Sequence, residues 1–256
     1  DPQLIRDYSL DVVASWVACS GEERQFIIYR QSDLPICAEL SWYLSCTVGM
    51  GLLEKAHAYK DALAQSKEVN HGVFAYPVLM AADIVMYDAD VVPVGKDQKQ
   101  HVEMARDMAG SFNAVYGGEI LKLPQPLIYE NVMTVPGLDG RKMSKSYNNE
   151  IPLFCSEKEL RKRIMSIVTD STPVEESKSL KDSLLGAFFD AFATADERKV
   201  VEEKLNAGNY GWGHAKQDLF EITDNLVKEP RNRYLELRKD ETALFKILDE
   251  GAQAAF

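Results

Sequence analysis

The segment KMSKS, Lys142–Ser146, concentrates two lysines and two serines in five residues. It follows Gly137 and Gly140 and precedes Asn148 and Asn149. This composition predicts a loop whose backbone can change position. Mobile lysines with hydroxyl groups beside them suit a polyphosphate whose negative charge must be met during a reaction. A solvated loop of Lys and Ser is the ordinary alternative, and composition alone leaves it open.

The segment VPVGKDQ, Val92–Gln98, overlaps and follows a short predicted strand, Val91–Val94. Gly95 would let a ligand approach the backbone, and the Asp97 carboxylate would accept hydrogen bonds from ribose hydroxyl groups. Alternatively, this is an ordinary turn between a strand and a helix, with Asp97 as the N-cap. The segment by itself leaves both interpretations open.

A third segment, AYPVLMAAD, places Tyr76, Met80 and Asp83 on one face of a predicted helix. The rest of that face is apolar, and a buried carboxylate needs a partner. A bound ligand with an indole N–H or a phenol would supply one. The alternative is a core position for Tyr76 and Met80, with Asp83 paired to a lysine or an arginine.

The pattern of apolar residues predicts an α/β domain at residues 1–155 and an all-helical domain at 156–256. The first should contain an opening helix that ends at Gly21, a buried strand at Gln25–Arg30, two helices between residues 35 and 60, a helix at Val73–Ala89, and a strand, turn and helix at Val91–Gly117. The second should contain helices at Lys158–Val168, Leu180–Thr194, Glu197–Leu205, Ala215–Leu226 and Arg231–Phe256. A strand, turn and helix are typical of a nucleotide-binding sheet.

Composition excludes several classes of protein. A net charge of −11 argues against binding of nucleic acid by bulk electrostatics. No apolar run approaches the roughly 20 residues that cross a bilayer. The four cysteines show no C-x-x-C pair and no metal-ligand spacing, so we predict no metal site and buried, reduced thiols in a cytosolic protein.

Taken in order, these segments resemble the class I tryptophanyl-tRNA synthetases of bacterial type. The resemblance extends through QSDLP (Gln31–Pro35), YPVLMAAD (Tyr76–Asp83), VPVGKDQKQH (Val92–His101), KMSKS and IVTDS (Ile167–Ser171). It implies a Rossmann-like catalytic domain, a helical anticodon-binding domain and a cytoplasmic homodimer. It further implies activation of L-tryptophan with ATP and Mg²⁺, and transfer of tryptophan to tRNA(Trp).

The resemblance also implies roles for individual residues. Lys142 and Lys145 would be catalytic, stabilising charge on the phosphates. The ATP-binding set would be Gly95, Lys96, Asp97, Val132, Lys142, Met143, Ser144, Lys145 and Ser146. The tryptophan-binding set would be Tyr76, Met80, Asp83, Val92, Val94 and Gln98, with Asp83 accepting the indole N–H.

The family's first motif, of the His-x-Gly-His type, is expected in a βα unit that precedes Asp1. We therefore expect these residues to belong to a longer polypeptide and to be inactive by themselves. Two alternatives remain open at this point: a tyrosyl-tRNA synthetase, and a synthetase-like protein that binds tRNA or a protein without catalysis. Phosphate contacts are conceivable for Arg231, Arg233, Arg238, Lys239 and the run Arg161–Arg163, although such residues more often form a solvated helix face.

Overall fold

The computed structural model describes residues 1–20, 26–65, 68–129, 135–181 and 183–256. Its contacts divide the chain into two compact units. The loop unit comprises residues 1–28 and 133–250, and the pocket unit comprises residues 29–132 and 251–256. The predicted boundary near residue 155 lies inside the loop unit, and the assignment of functional domains on its two sides stays a prediction.

The pocket unit consists of helices and one pair of parallel strands. Its helices are α2 (Ile36–Ser45), α3 (Met50–Leu53), α4 (His57–Ala64), α5 (His71–Val85) and α6 (Lys99–Tyr116). Strand β1 (Val91–Pro93) pairs with β2 (Gln125–Leu127). The predicted helix that begins near Val73 and the predicted strand, turn and helix are confirmed, and the turn is a short 3-10 helix at Lys96–Gln98.

Local sequence explains where α5 and α6 begin and end. The Asn70 side chain caps α5 by accepting a hydrogen bond from the Val73 amide at 2.9 Å. Helix α6 ends at Gly117, whose φ of 76° is the left-handed conformation that a glycine adopts without strain. Small buried residues, Ala82 on α5 and Ala105 on α6, lie in one apolar core that these two helices share. This core fixes the position of α5, the helix that carries three of the predicted tryptophan-binding residues.

Two expectations for this region are wrong. Phe26 and Ile27 are 37% and 56% exposed, and residues 27–30 form no strand. A strand needs a hydrogen-bonded neighbour, and within the described ranges β1 and β2 pair only with each other. Between residues 35 and 60 the structure has three helices rather than two, because the short α3 separates α2 from α4.

In its described residues, the loop unit consists of helices and the loops that connect them. It contains α1 (Pro2–Ser20), α7 (Glu157–Met165), α8 (Leu184–Phe192), α9 (Ala195–Asn206), α10 (Trp212–Leu237) and most of α11 (Glu241–Ala255). The predicted helices at Lys158–Val168, Leu180–Thr194 and Glu197–Leu205 are confirmed. The predicted division between Ala215–Leu226 and Arg231–Phe256 is wrong, because α10 continues through Pro230 to Leu237 and α11 begins only at Glu241. Phe188, Phe189 and Leu160 are fully buried in its main core. The signature loop, residues 136–149, is attached to this core.

Helix α1 packs through one face and exposes the other. Leu10 and Val13 are buried with Leu244 and Leu248 of α11. The opposite face carries apolar side chains that are 55–69% exposed: Ile5, Tyr8, Val12 and Trp16. In the described part of the chain, no helix is both long enough and apolar enough to span a membrane.

Candidate active site

Asn149 is the structural centre of the signature loop. It is 3% exposed, and its Oδ1 accepts a hydrogen bond from the Ser144 amide at 2.8 Å. Its Nδ2 donates to Asp139 Oδ1 at 2.8 Å and to the Lys142 carbonyl at 3.2 Å. One buried amide therefore connects the residues before and after the first lysine of KMSKS.

Two glycines let the chain close around this amide. A Cβ on Gly137 would lie 2.0 Å from Asn149 Nδ2, so no larger residue fits without displacing the asparagine. Gly140 has a φ of 81°, which a side chain would strain, and its amide donates to the Gly137 carbonyl at 2.9 Å. In this conformation the loop backbone is thus specified by its own neighbouring residues, and a change of its position during the reaction stays a prediction.

The two lysines point away from this framework. Lys142 and Lys145 are exposed, and Lys145 Nζ lies 5.9 Å from the centre of the Tyr8 ring. Among the described residues, neither lysine forms an ion pair, whereas Arg141 Nη2 lies 2.7 Å from Asp139 Oδ2. The charge of Arg141 is therefore matched within the protein, and the charges of the two lysines are available to a ligand.

Hydrogen bonds from Asn149 and Arg141 lower the pKa of Asp139 to about 2. The carboxylate is consequently ionised at neutral pH and accepts from both partners. Ser144 caps a short 3-10 helix at Lys145–Tyr147 through a hydrogen bond from the Ser146 amide. Met143 is half-buried against the main core of the loop unit.

Arg163 of α7 anchors the end of the signature loop. Its Nη1 and Nη2 donate to the Asn148 carbonyl and to Asn148 Oδ1, at 2.9 and 2.8 Å. Its Nε donates to Glu159 Oε1 at 3.0 Å. Asn148 has a φ of 50°, so this anchor holds a residue in a sparsely populated conformation. Arg163 thus stabilises the end of the signature loop, and its guanidinium is not part of an exposed basic patch.

In the pocket unit, the Asp83 carboxylate accepts hydrogen bonds from two neutral donors. Gln31 Nε2 lies 2.6 Å from Asp83 Oδ2, and Cys37 Sγ lies 2.7 Å from Asp83 Oδ1. Burial and the neighbouring carboxylate raise the pKa of Cys37 to about 12, so its sulfur carries a proton and donates. No lysine or arginine pairs with Asp83 in the described part of the chain, so the alternative of a cationic partner is not supported.

Tyr76 lies one turn of helix away from Met80, and both are half-buried. The Tyr76 hydroxyl is 2.8 Å from His101 Nε2, while His101 Nδ1 is buried without a partner among the described residues. Burial, and secondarily the charge of His57, lowers the pKa of His101, so its ring is neutral at pH 7. The arrangement joins the Tyr76 hydroxyl to an uncharged ring.

The segment after β1 carries the remaining predicted residues of this unit. Val92 and Val94 are half-buried, Gly95, Lys96 and Asp97 are exposed, and Gln98 Nε2 donates to Asp97 Oδ2 at 2.9 Å. A Cβ on Gly95 would lie 2.7 Å from Asp97 Oδ1, so glycine keeps that carboxylate close to the backbone. Val132, predicted beside adenine, lies outside the described residues.

Most of the basic residues considered for phosphate contact have partners inside the protein. Arg231 is 7% exposed and pairs with Asp224 at 2.9 Å, so it forms no exposed patch. Arg238 pairs with Asp11 at 2.7 Å, and Lys239 pairs with Glu236. Exposed cationic groups on α7 include Arg161 and Lys162.

Sequence reasoning missed several residues of the candidate site. Gln31 and Cys37 contact Asp83 across 52 and 46 positions of the chain, which no local pattern reveals. Cys19 and Cys46 are exposed, so the prediction that all four cysteines are buried is wrong. For Asn149 a signal existed, because an asparagine pair directly follows the Lys-rich loop.

Comparison with known proteins places this geometry in a family. Residues 1–228 match the model for "tRNA synthetases class I (W and Y)". Tryptophan–tRNA ligase of Fusobacterium nucleatum is 44% identical over 253 residues, which are 99% of this chain and 78% of that protein. The enzyme of the same name from Xylella fastidiosa is 44% identical, with 98% of this chain and 60% of that protein covered.

A solved structure of a tryptophanyl-tRNA synthetase supports the same family assignment. Tryptophanyl-tRNA synthetase from Campylobacter jejuni, complexed with ADP and tryptophan, superposes with a TM-score of 0.91 at 43% identity, and the match covers all of this chain and 80% of that one. The predicted fold class and enzyme class are confirmed, and the tyrosyl alternative is less well supported. The two curated relatives compared above are tryptophan–tRNA ligases, and the chain belongs to the class I tRNA synthetases for tryptophan and tyrosine.

Proposed function

We propose that the polypeptide containing these residues activates L-tryptophan with ATP and transfers it to tRNA(Trp). In the first step, the tryptophan carboxylate attacks the α-phosphorus, a new P–O bond forms, and pyrophosphate leaves. Such a reaction asks the protein mainly for positioning and for compensation of charge. The relatives' names and the nucleotide in the Campylobacter structure support this assignment.

Lys142 and Lys145 meet the phosphate charge. Both are exposed on a loop whose backbone is fixed by Asn149, and neither is neutralised by a carboxylate among the described residues. Met143 contributes its backbone beside adenine, and Ser144 and Ser146 offer hydroxyl groups near the phosphates. Gly95, Lys96 and Asp97 hold the ribose side.

The observation that carries the proposal is the setting of Asp83. Its carboxylate lies next to half-buried Met80 on α5, and its hydrogen-bond donors are neutral. Such a group accepts the indole N–H of tryptophan, while Val92 and Val94 form apolar walls. Tyr76 and Gln98 hold the amino end of the substrate.

Mg²⁺ enters with the nucleotide in this proposal. Among the described residues, no group of three or more His, Cys, Asp or Glu side chains is placed to hold a metal ion. Magnesium typically binds through substrate phosphates with few protein ligands. Lys142 and Lys145 would share with a bound Mg²⁺ the neutralisation of phosphate charge.

The proposal includes a homodimer that works in the cytoplasm. Trp42 of α2 and Val115 of α6 are 69% and 63% exposed, and Tyr43 and Tyr116 beside them are about half exposed. Exposed aromatic and apolar groups of this kind are typical of protein interfaces. The free cysteines fit a reducing compartment. The sedimentation coefficient of the full-length gene product tests the oligomeric state.

The proposed reaction is tested by ATP–pyrophosphate exchange with the full-length gene product. Exchange should depend on tryptophan and should be at least about 100-fold weaker with tyrosine at equal concentration. The phenol hydroxyl of tyrosine lies at a different position on the side chain from the indole N–H, and its smaller ring leaves part of the apolar pocket unfilled. Exchange that responds equally to the two amino acids, or to neither, would contradict the proposal.

A further inference from the structure

We infer that Cys37 and Gln31 are positioning residues that set tryptophan specificity by fixing the Asp83 carboxylate between two neutral donors. The inference rests on the proposed function, in which Asp83 accepts the indole N–H. It adds two side chains from a different segment of the chain, neither of which contacts the reacting atoms.

The contacts define the orientation of the carboxylate. Cys37 Sγ and Gln31 Nε2 approach different oxygens, at 2.7 Å from Oδ1 and 2.6 Å from Oδ2. Each carboxylate oxygen can accept about two hydrogen bonds, so each keeps accepting capacity after these contacts. With both oxygens fixed, the remaining lone pairs of Asp83 have fixed directions, and the ligand donor need not reorient the side chain.

The neutrality of the donors matters as much as their position. A lysine or arginine at either place would cancel most of the carboxylate charge. A thiol and an amide leave the full negative charge, which makes the bond to an indole N–H charge-assisted and stronger than a neutral one. The site therefore discriminates strongly against a ring that lacks the N–H donor.

The segment that carries the donors is itself fixed. Arg30 Nε donates to Asp33 Oδ2 at 2.7 Å across the 3-10 turn Gln31–Asp33. Cys37 is 2% exposed in the first turn of α2, and its amide donates to the Leu34 carbonyl at 3.0 Å. The two donors thus arise from one short, hydrogen-bonded stretch and hold Asp83 with little freedom of their own.

The test compares L-tryptophan with its benzothiophene analogue, 3-(benzothiophen-3-yl)alanine, in ATP–pyrophosphate exchange by the full-length gene product. We expect Cys37→Ala to raise the KM for tryptophan about tenfold and to leave the KM for ATP unchanged. The preference for tryptophan over the analogue should narrow by a similar factor. Cys37→Ser keeps a donor and should stay within about threefold of the wild type.

Cys46→Ala is the matched control, because this exposed thiol lies directly after the same helix. Gln31→Met, which removes the other donor at similar length, should narrow the preference in the same way and stands in if Cys37→Ala does not fold. The inference would be overturned if the variants raised the KM for tryptophan and for the analogue equally. It would also be overturned if the preference for tryptophan over the analogue stayed unchanged in both Cys37→Ala and Gln31→Met. If Asp83→Asn still raises the KM for tryptophan in that case, the proposed function stands and only the positioning role of Cys37 and Gln31 is wrong. If the wild-type protein shows no tryptophan-dependent exchange, both the proposed function and this inference are wrong.

Discussion

The signature loop and the Asp83 pocket handle charge in opposite ways. In the loop, hydrogen bonds fix the backbone across 5 to 10 positions of the chain, and the charged ends of Lys142 and Lys145 are left exposed. In the pocket, the charged group itself is fixed, by neutral donors that come from 46 and 52 positions away. The loop leaves its positive charges exposed to the phosphates of a ligand, whereas the pocket holds its negative charge in one position before the ligand binds.

This difference indicates when each region acts. Exposed lysines on a fixed backbone contribute most when phosphate charge develops, because interactions that strengthen in the transition state raise kcat. A carboxylate fixed in advance contributes as soon as the ligand binds. Variants in the loop should therefore change mainly kcat, and variants in the pocket should change mainly the KM for tryptophan.

The largest effect is expected for Lys145→Ala. Loss of one preorganised cation should lower kcat of tryptophan activation by about 10²- to 10³-fold, or roughly 3–4 kcal/mol, with little change in the KM for tryptophan. Lys145→Arg should restore the rate only in part, because a planar guanidinium does not replace a compact ammonium. Stopped-flow activation kinetics measure both.

The matched control is Lys199→Ala, an exposed lysine on α9 that pairs loosely with Glu203 at 3.9 Å. It should change neither kinetic parameter by more than about twofold. A Lys145→Ala rate within about threefold of the wild type would show that the exposed charge of the loop has no catalytic role.

Asp83→Asn should have the next largest effect, and on a different parameter. Replacing the charged acceptor should raise the KM for tryptophan by the equivalent of about 1.5–3 kcal/mol, with a much smaller change for ATP. Steady-state exchange at varied tryptophan and varied ATP separates the two. An unchanged KM for tryptophan would make Asp83 a purely structural residue.

Asn149→Ala tests whether the loop backbone needs its buried amide. The change leaves the Ser144 amide and the Lys142 carbonyl without their partner, so the free energy of unfolding should fall by about 1–3 kcal/mol. Urea unfolding measures the change. The control is Asn225→Ala, an exposed position on α10, expected within about 0.5 kcal/mol of wild type. Equal stability of the two variants would contradict the framework described for the loop.

The smallest effect concerns the titration of Asp139. Its pKa of about 2 lies below the ordinary value of about 3.9, so its contribution to the folded loop is complete above about pH 4 and is lost as the pH falls toward 2. In Asn149→Ala the pKa should rise toward the ordinary value, since the asparagine is its first cause. A carbon-13 NMR titration of the carboxyl group measures both; an unchanged pKa would assign the shift to Arg141.

The contrast between the two regions also explains what the sequence could predict. KMSKS and its glycines are contiguous, so composition indicates both the loop and its chemistry. The helix predicted at Val73–Ala89 follows from an apolar run longer than an ordinary strand, although α5 begins at His71 and ends at Val85. The donors to Asp83 could not be predicted, because tertiary packing alone brings Cys37 and Gln31 to it. The strand predicted at Gln25–Arg30 fails for a related reason: β-branched residues form a strand only beside a partner.

Equilibrium binding of tryptophan in the absence of ATP tests most directly the claim that the pocket binds and the loop accelerates. Isothermal titration calorimetry of the full-length gene product would compare the wild type, Asp83→Asn and Lys145→Ala. We predict a Kd within about twofold of wild type for Lys145→Ala, and a Kd about 10- to 100-fold higher for Asp83→Asn. Weakened tryptophan binding by Lys145→Ala, or unchanged binding by Asp83→Asn, would contradict this division of roles.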